Sequence, residues 1–587
     1  MNKKVIDVAL GNSAADIVIR HGSLINVNSG EIYPADVAIA DGKIAATGEI
    51  SEKAVDENTI VIDASGKYLA PGFIDAHIHF ESSMLTYTEF SNMVLKHGTT
   101  AVATDLMEVA IVSGMEGIQE VLKESAQLPV KLLYPVPSFM EEEGDLQTIG
   151  APLRSEYIEE LLQLEEAVGL AEVLYPPMLA KADKSANIVR LAKKYNKTLE
   201  GHAPALTGDG LNAYSSVGIR SDHESTNRTE ALEKLRRGLR VLIREGSAAT
   251  DLDACLEMIT KDKVDTRHCA LVSDDIDSLH IYEKGHLDYK VRRTIQAGVS
   301  PIEAIQMVTI NPAESLKVDD ELGSIAPGKR ADIVLLSDLD TVAVEQVIAG
   351  GVPVVEQGEL LKKSVAPTYS KFLKNTVTLK NTIDGGALQI KAPKDSKTAL
   401  VRVIGANPTS LLTDDKSASL SVKDGIVLPD AARDVLSIAC VERYGKNGNV
   451  GKAFIQGFGL LSGAIATSVG HDHHNITVIG SNFDDMALAV RRIEEMQGGI
   501  LLVEDGKVIH ELALPICGLL SDRPGEEVAG TLKEIQDELV KRGCKMQSPF
   551  MTLAFITLIF IPRYGITDKG LVDVFEEAVV DPVISFS

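Results

Sequence analysis

The sequence predicts an α/β protein: a (β/α)8 barrel inserted in a split β-sandwich and followed by a C-terminal α+β domain. Three observations predict it. Strand-patterned segments with the same vocabulary flank a long insert. Within that insert, short apolar runs alternate with helical segments. Past residue 365 the texture changes again.

Residues 1–70 read as the first part of the sandwich. "ADIVIRHGSLINV", "ADVAIADGKIAATG" and "TIVIDASGKYLAPG" alternate with period two, and Asp41-Gly42 and Ser65-Gly66 sit where tight hairpins belong. Residues 323–364, with "GSIAPGKRADIVLLSDL" and "TVAVEQVIAGGVPVVEQG", read as its second part. Between them, residues 71–322 alternate runs such as "TTAVATDL", "VKLLYPVPS", "KTLEGHAP", "LRVLIREGS" and "HCALVSDD" with helical segments such as "RTEALEKLRRG". That alternation over some 250 residues marks a barrel of parallel strands. In "SPIEAIQMVTINPAESL", Ser300, Pro301 and Glu303 form a helix start and a capping box, and the helix should stop before Pro312. Residues 365–587 open on a Lys/Ser/Thr-rich stretch and carry their own hairpin signal at Asp505-Gly506.

Composition narrows the function classes. The formal charge is −26, from 58 basic and 84 acidic residues, which opposes binding to a phosphate backbone or an anionic membrane. Cys255, Cys269, Cys440, Cys517 and Cys544 are scattered and odd in number, so neither a disulfide framework nor a thiolate metal site is expected. The first twenty residues lack the apolar core of a signal peptide, and the late run "FMTLAFITLIFIP" is too short to span a bilayer. A cytoplasmic enzyme with a small-molecule substrate, assembled as a homo-oligomer, is expected.

The chemistry gathers at the carboxyl ends of the expected barrel strands, where such barrels carry their active sites. In "GFIDAHIHF", an extended chain would put His77 and His79 on one side, about 7 Å apart. Glu172, His202, His223 and Asp274 stand at later strand ends. A lone histidine at a strand end is usually a hydrogen-bonded surface or core group, but six nitrogen and oxygen donors at successive ends are not explained that way. Without sulfur, the set suits a pair of divalent first-row ions, and the donors accommodate iron(II), manganese(II) and zinc alike, with manganese(II) or iron(II) the expected occupants. Glu172 is placed to bridge them, and Asp274 to bind one and to take and return the proton of an attacking hydroxide. The predicted reaction is hydrolysis at an sp² carbon.

"PGFIDAHIHFESSM", "GHAPALTGDGLNAYSSVGIRSDHES", "LVSDD" with "EKGHLDY", and "TINPAESLKVDDELGSIAPGKRADIVLL" resemble the amidohydrolase superfamily. With "GFGLLSGAIATSVGHDHHNITVIGSN", "LPICGLLSD" and "PFMTLAFITL", the likeness narrows to the bacterial and archaeal adenine deaminase family and covers nearly the whole chain. The resemblance implies a metal-dependent conversion of adenine to hypoxanthine and ammonia, as in purine salvage. Another cyclic amidine or amide hydrolase acting on a purine- or pyrimidine-like ring is the alternative, and a barrel that has lost catalysis is a third reading.

One departure stands out. Where the family carries D-P-H-E, this chain has Asp105, Leu106, Met107 and Glu108. A thioether cannot replace an imidazole's hydrogen bonds. Asp105 and Glu108 remain expected contacts for the purine's ring nitrogens, and Glu81, Ser82 and Ser83 for the pocket mouth. In "GHDHHN", His471, His473 and His474 beside Asp472 are expected to pack over the barrel and help enclose the substrate, with Asp275 as second choice for proton transfer.

Overall fold

The computed structural model describes residues 2–138, 146–152, 155–175, 182–408, 412–560 and 563–587. The end of the apolar run at Pro562 lies outside them.

The chain enters through β1 (Ile17–Asn26), β2 (Glu31–Ala40), β3 (Lys43–Gly48), β4 (Ile60–Asp63) and β5 (Tyr68–Pro71). It returns after the barrel through β14 (Ile333–Leu336), β15 (Val344–Ala349), β16 (Val352–Glu356) and β17 (Glu359–Leu360). All nine strands share one hydrogen-bonded sheet, in which β5 and β14 pair antiparallel and join the two segments. An isolated bridge from Lys43 to Arg330 folds the sheet back on itself, over a core that includes Ile19, Val37, Leu69, Ile333 and Ile348. Asp41 and Gly42 have φ of 48° and 73°, the left-handed pair a two-residue hairpin between β2 and β3 requires. Ser65-Gly66 makes no hairpin. Strands β4 and β5 both run parallel to β1, so that turn only offsets two segments of one edge.

The barrel strands are β6 (Phe73–Asp75), β7 (Thr99–Ala103), β8 (Lys131–Pro137), β9 (Ala167–Leu174), β10 (Thr198–His202), β11 (Ser221–Asp222), β12 (Arg240–Arg244) and β13 (Cys269–Val272). They pair in parallel and in chain order. The first and last meet beyond their ends, where Ile78 bridges Asp274, the Asp274 N–H donates to the His77 carbonyl at 3.0 Å and the His79 N–H to the Asp274 carbonyl at 3.3 Å. Closure of the barrel therefore brings the first and last site residues together. Ser300 caps a helix over Pro301–Gln306, and a second helix, Ile310–Leu316, carries Pro312 in its first turn, where no N–H is missed.

The C-terminal region builds a ten-stranded sheet and a three-stranded one, flanked by helices Phe483–Met496 and Gly525–Lys541. Asp505 and Gly506, φ 51° and 70°, close the expected hairpin. One buried apolar cluster runs from barrel residues such as Val109 and Val136 to Ile438, Leu514 and Leu553, so the C-terminal region is seated on the barrel. The apolar run at 550 is used inside it, as the buried helix Pro549–Phe555. No helix among the described residues is long and apolar enough to cross a membrane.

Candidate metal centre and active site

His77 and His79 lie just beyond β6, which ends at Asp75, so the extended stretch is shorter than the sequence suggests. Asp75 is the anchor. Its Oδ1 accepts the N–H of His77 at 3.3 Å and of Ser273 at 3.2 Å, fixing the turns that present His77 and Asp274. Glu172 sits inside β9 at φ 43°, opposite a register shift between Leu199 and Gly201. The extra residue of this bulge re-aims the side chain. His202 ends β10, and its N–H donates to the Tyr214 hydroxyl at 3.0 Å. His223 follows β11 in a turn held by Asp222, which accepts from the buried Lys234 ammonium at 2.7 Å and from the Ala203 and Glu224 N–H groups. Asp274, φ 56°, follows β13.

The six side chains converge. His79 Nε2 is 3.0 Å from Glu172 Oε1, and His77 Nε2 is 3.5 Å from both Glu172 Oε1 and Asp274 Oδ1. His223 Nε2 lies 3.6 Å from Glu172 Oε1 and His202 Nδ1 3.8 Å from Glu172 Oε2. The His77 and His223 rings stack with centroids 3.7 Å apart. His77, His79 and Glu172 form one potential ligand trio, and Glu172, His202 and His223 another, so Glu172 belongs to both; His77, His223 and Asp274 form a third. The buried His77 Nε2 has no hydrogen-bond partner. A buried, unpartnered imidazole nitrogen facing two carboxylates among three further histidines is what a divalent cation would satisfy, and the donor set fits one.

Burial alone would raise both carboxylates. The hydrogen bond with His79 and the surrounding imidazoles nevertheless hold Glu172 below its ordinary pKa, and His77 together with Arg244 holds Asp274 well below it. Arg244, in an apolar strand and fully buried, was not singled out from the sequence. Its Nη1 donates to Asp274 Oδ2 at 3.1 Å and Glu224 Oε1 at 2.5 Å, and its Nε to Asp251 at 2.8 Å. Glu224 was equally missed, although it directly follows His223. The available signal was an arginine closing the run "RVLIR" and an acid beside a candidate ligand.

A cavity opens on this centre. His79, Glu172, His202, Glu224, Asp274 and Asp275 line its floor, Met107 and Glu108 one side, and His471, Asp472, Phe555, Leu558 and Phe560 of the C-terminal region the other. His471 Nδ1 faces Glu108 Oε1 at 2.9 Å and its Nε2 faces Asp275 Oδ1 at 3.2 Å. His474 Nε2 contacts Glu108 Oε2. Glu108, His471 and His474 have the composition of a third metal site, but the His474 Nδ1 accepts the Gly470 N–H at 3.1 Å. That fixes the proton on Nε2, which donates to Glu108. The trio is a hydrogen-bonded clamp. Despite burial, His471 and His474 hold Glu108 well below the carboxylate range, while Asp275 and Glu108 hold His471 well above its usual value.

Three expected substrate contacts are not on the cavity wall. Ser83 Oγ donates to the Phe80 carbonyl at 2.6 Å and closes a local turn. Asp105 Oδ1 stands 3.3 Å from His79 Nδ1, behind that ring, and orients it. His473 accepts the Asn475 N–H on Nδ1 and turns Nε2 toward the Ile566 carbonyl, inside the C-terminal region. Ser82 donates to Asp275. Glu81 is buried under the site, and burial with Glu108 and Asp105 nearby pushes it up to about 8. Met107 does line the cavity, and the imidazole next to Glu108 comes from His471.

The chain matches the amidohydrolase family over residues 68–354 and the adenine deaminase C-terminal domain over residues 410–578. Among curated proteins it is similar to adenine deaminase of Moorella thermoacetica, 40% identical over 584 residues, covering 99% of this chain and 98% of that one. The adenine deaminase of Methanococcoides burtonii is 41% identical over 98% of this chain and 97% of its own length. That of Clostridium botulinum (strain ATCC 19397 / Type A) is 40% identical over 98% and 96%.

Proposed function

The chain belongs to the adenine deaminase family, and we propose that its barrel mouth hydrolyses adenine to hypoxanthine and ammonia through six metal-holding side chains. One observation carries this reading: His77, His79, Glu172, His202, His223 and Asp274 converge on a buried cavity in a chain that matches its relatives from end to end.

We assign these six residues to two divalent ions, manganese(II) or iron(II) before zinc, and Glu172, common to two of the three trios, would be shared between them. Bound there, such ions would activate water for attack on the amino-bearing ring carbon. Asp274 takes the proton of the attacking water at Oδ2, where Arg244 occupies one lone pair and leaves the other open. It then passes that proton to the departing amino nitrogen, and ammonia leaves. Arg244 keeps Asp274 anionic and oriented until the proton arrives. Glu108, clamped by His471 and His474, accepts from the amidine edge of the purine. Phe555, Leu558 and Phe560 cover the ring and exclude water.

The buried, unpaired cysteines support a reducing cytoplasmic setting, and the charge of −26 supports a small neutral substrate over nucleic acid. Assembly as a homo-oligomer belongs to the same reading and is measured by light scattering. The test of function is direct. Protein produced with manganese or iron supplied should release ammonia from adenine and not from cytosine, guanine or adenosine. Full adenine turnover after chelation and measured metal loss would overturn the metal assignment. Ammonia from another base, with none from adenine, would favour the alternative cyclic amidine hydrolase.

A further inference from the structure

The cavity wall carries six carboxyl groups, and five of them are engaged. Glu108 accepts from His471 and His474. Glu172 is paired with His79. Glu224 and Asp274 share the Arg244 guanidinium. Asp275 is held by Ser82 and faces His471. The sixth is Asp472. It lines the cavity, is 6% exposed, and its side chain makes no hydrogen bond or ion pair among the described residues. A buried carboxyl with no partner is destabilising unless something else meets it. Neighbouring His471 is hydrogen-bonded to Glu108 through Nδ1 and faces Asp275 through Nε2. Asp472 is therefore the carboxyl group that the C-terminal wall leaves free for whatever fills the cavity.

The chemistry of the substrate says which atom it would meet; this step rests on the reading that the substrate is adenine. Apart from its reacting amino group, adenine carries a single N–H, on N9 in its common tautomer, and its other ring nitrogens only accept. With C6 turned to the six ligands on the floor, N9 lies across the ring system from C6. It then points away from the floor and between the side walls, one of which carries Asp472.

We propose that Asp472 is the specificity-determining residue that accepts the N9–H of adenine and so selects the free base over N9-substituted purines, nucleosides included. Burial and the nearby Glu108 push this carboxyl well above its ordinary pKa, with His471 opposing. It then presents a carbonyl and a hydroxyl side by side, and the hydroxyl can donate to N3 while the carbonyl accepts from N9–H. An amide offers the same pair, so Asp472→Asn should keep the selectivity. A site built to satisfy an N–H rejects an analogue lacking it more strongly than shape alone would.

The experiment compares adenine with 9-methyladenine in the metal-loaded full chain and in Asp472→Ala and Asp472→Asn. Turnover is measured with both bases, and equilibrium binding with hypoxanthine and 9-methylhypoxanthine. The expected result for the native chain is a preference for adenine of about 100-fold or more in kcat/KM. In the alanine variant that ratio should fall at least about tenfold, through a raised KM for adenine, with metal content unchanged; the asparagine variant should stay within about threefold of native. An alanine variant that keeps the native ratio, or a native chain that binds the N9-methylated purines as well as the free ones, would overturn the proposal. A native chain that turns over no adenine condemns the proposed function instead, and the two binding constants still decide the role of Asp472. If alanine prevents folding, loss of selectivity in the isosteric asparagine variant overturns it.

Discussion

The floor of the cavity and its C-terminal wall are built on different principles. On the floor, each proposed ligand sits at or near the end of a parallel strand, and neighbours within a few residues hold several of them: Asp75 two residues before His77, Asp222 next to His223, a bulge under Glu172. The wall arrives from some 360 residues away, as the Glu108–His471 contact shows. It is positioned by a shared apolar core and by contacts such as Thr148 with Asp568. Strand-end logic makes the floor readable and gives it a fixed geometry. The wall depends on docking, and in the proposed reading its residues act on what enters more than on the bond that breaks.

The sharpest break of this comparison is at the floor. Asp274→Asn removes the one group assigned to moving the proton, and kcat with adenine should fall by about 10²-fold or more while the metals remain. A variant within threefold of native would move that role to Asp275. Glu172→Gln should cost metal as well as activity, which elemental analysis reads.

Next in size is Arg244, which acts through Asp274 and Glu224. Arg244→Met leaves two buried carboxylates without their shared guanidinium, and breaking such a buried pair costs about 3–5 kcal/mol of stability. Arg244→Lys keeps the charge but offers one point donor in place of the fork. The lysine variant should fold, lose about tenfold in kcat, and shift the acidic limb of the kcat pH profile upward, because Asp274 is then held less firmly as an anion. An unchanged profile would make Arg244 a strut only.

The wall should give smaller and separable effects. Replacing His471 and His474 with alanine frees Glu108 and should raise KM or lower kcat by about tenfold with both metals retained, whereas His473→Ala should leave kinetics near native and only lower the melting temperature. The sequence offered these three histidines as one cluster. The fold divides them, because His473 turns to the Ile566 carbonyl while its neighbours face Glu108.

The same contrast explains what was legible in the chain. The convergence of the six proposed ligands was readable because H-x-H, G-H and S-D-H stood at the ends of apolar runs and barrel topology brings such ends together. The sandwich halves were readable from alternation and from Asp41-Gly42. Arg244 was hidden because a buried guanidinium among apolar residues has no local pattern; its three carboxylate partners come from separate turns. Asp105 was misplaced for a similar reason. Its residue type suited a purine, but only the position of His79 reveals that it stands behind a ligand.

The smallest effect expected is a pH dependence of stability located in the wall. His471 lies between Glu108 and Asp275, which hold its folded pKa well above the usual 6.5 against the opposing effect of burial. A raised folded pKa means that the stabilisation is fully present below the unfolded value of about 6.5 and is lost as pH rises through the folded one. His471→Gln keeps a hydrogen-bonding side chain without the titration. The melting temperature of the native chain should therefore exceed that of the glutamine variant most at pH 6, and the gap should narrow as pH is raised toward 9. A gap that is constant with pH would mean that the ring carries no charge in the folded chain. The hydrogen bonds of the clamp on Glu108 would then come from two neutral rings, and the wall would be held to the barrel without a charged imidazole at that point.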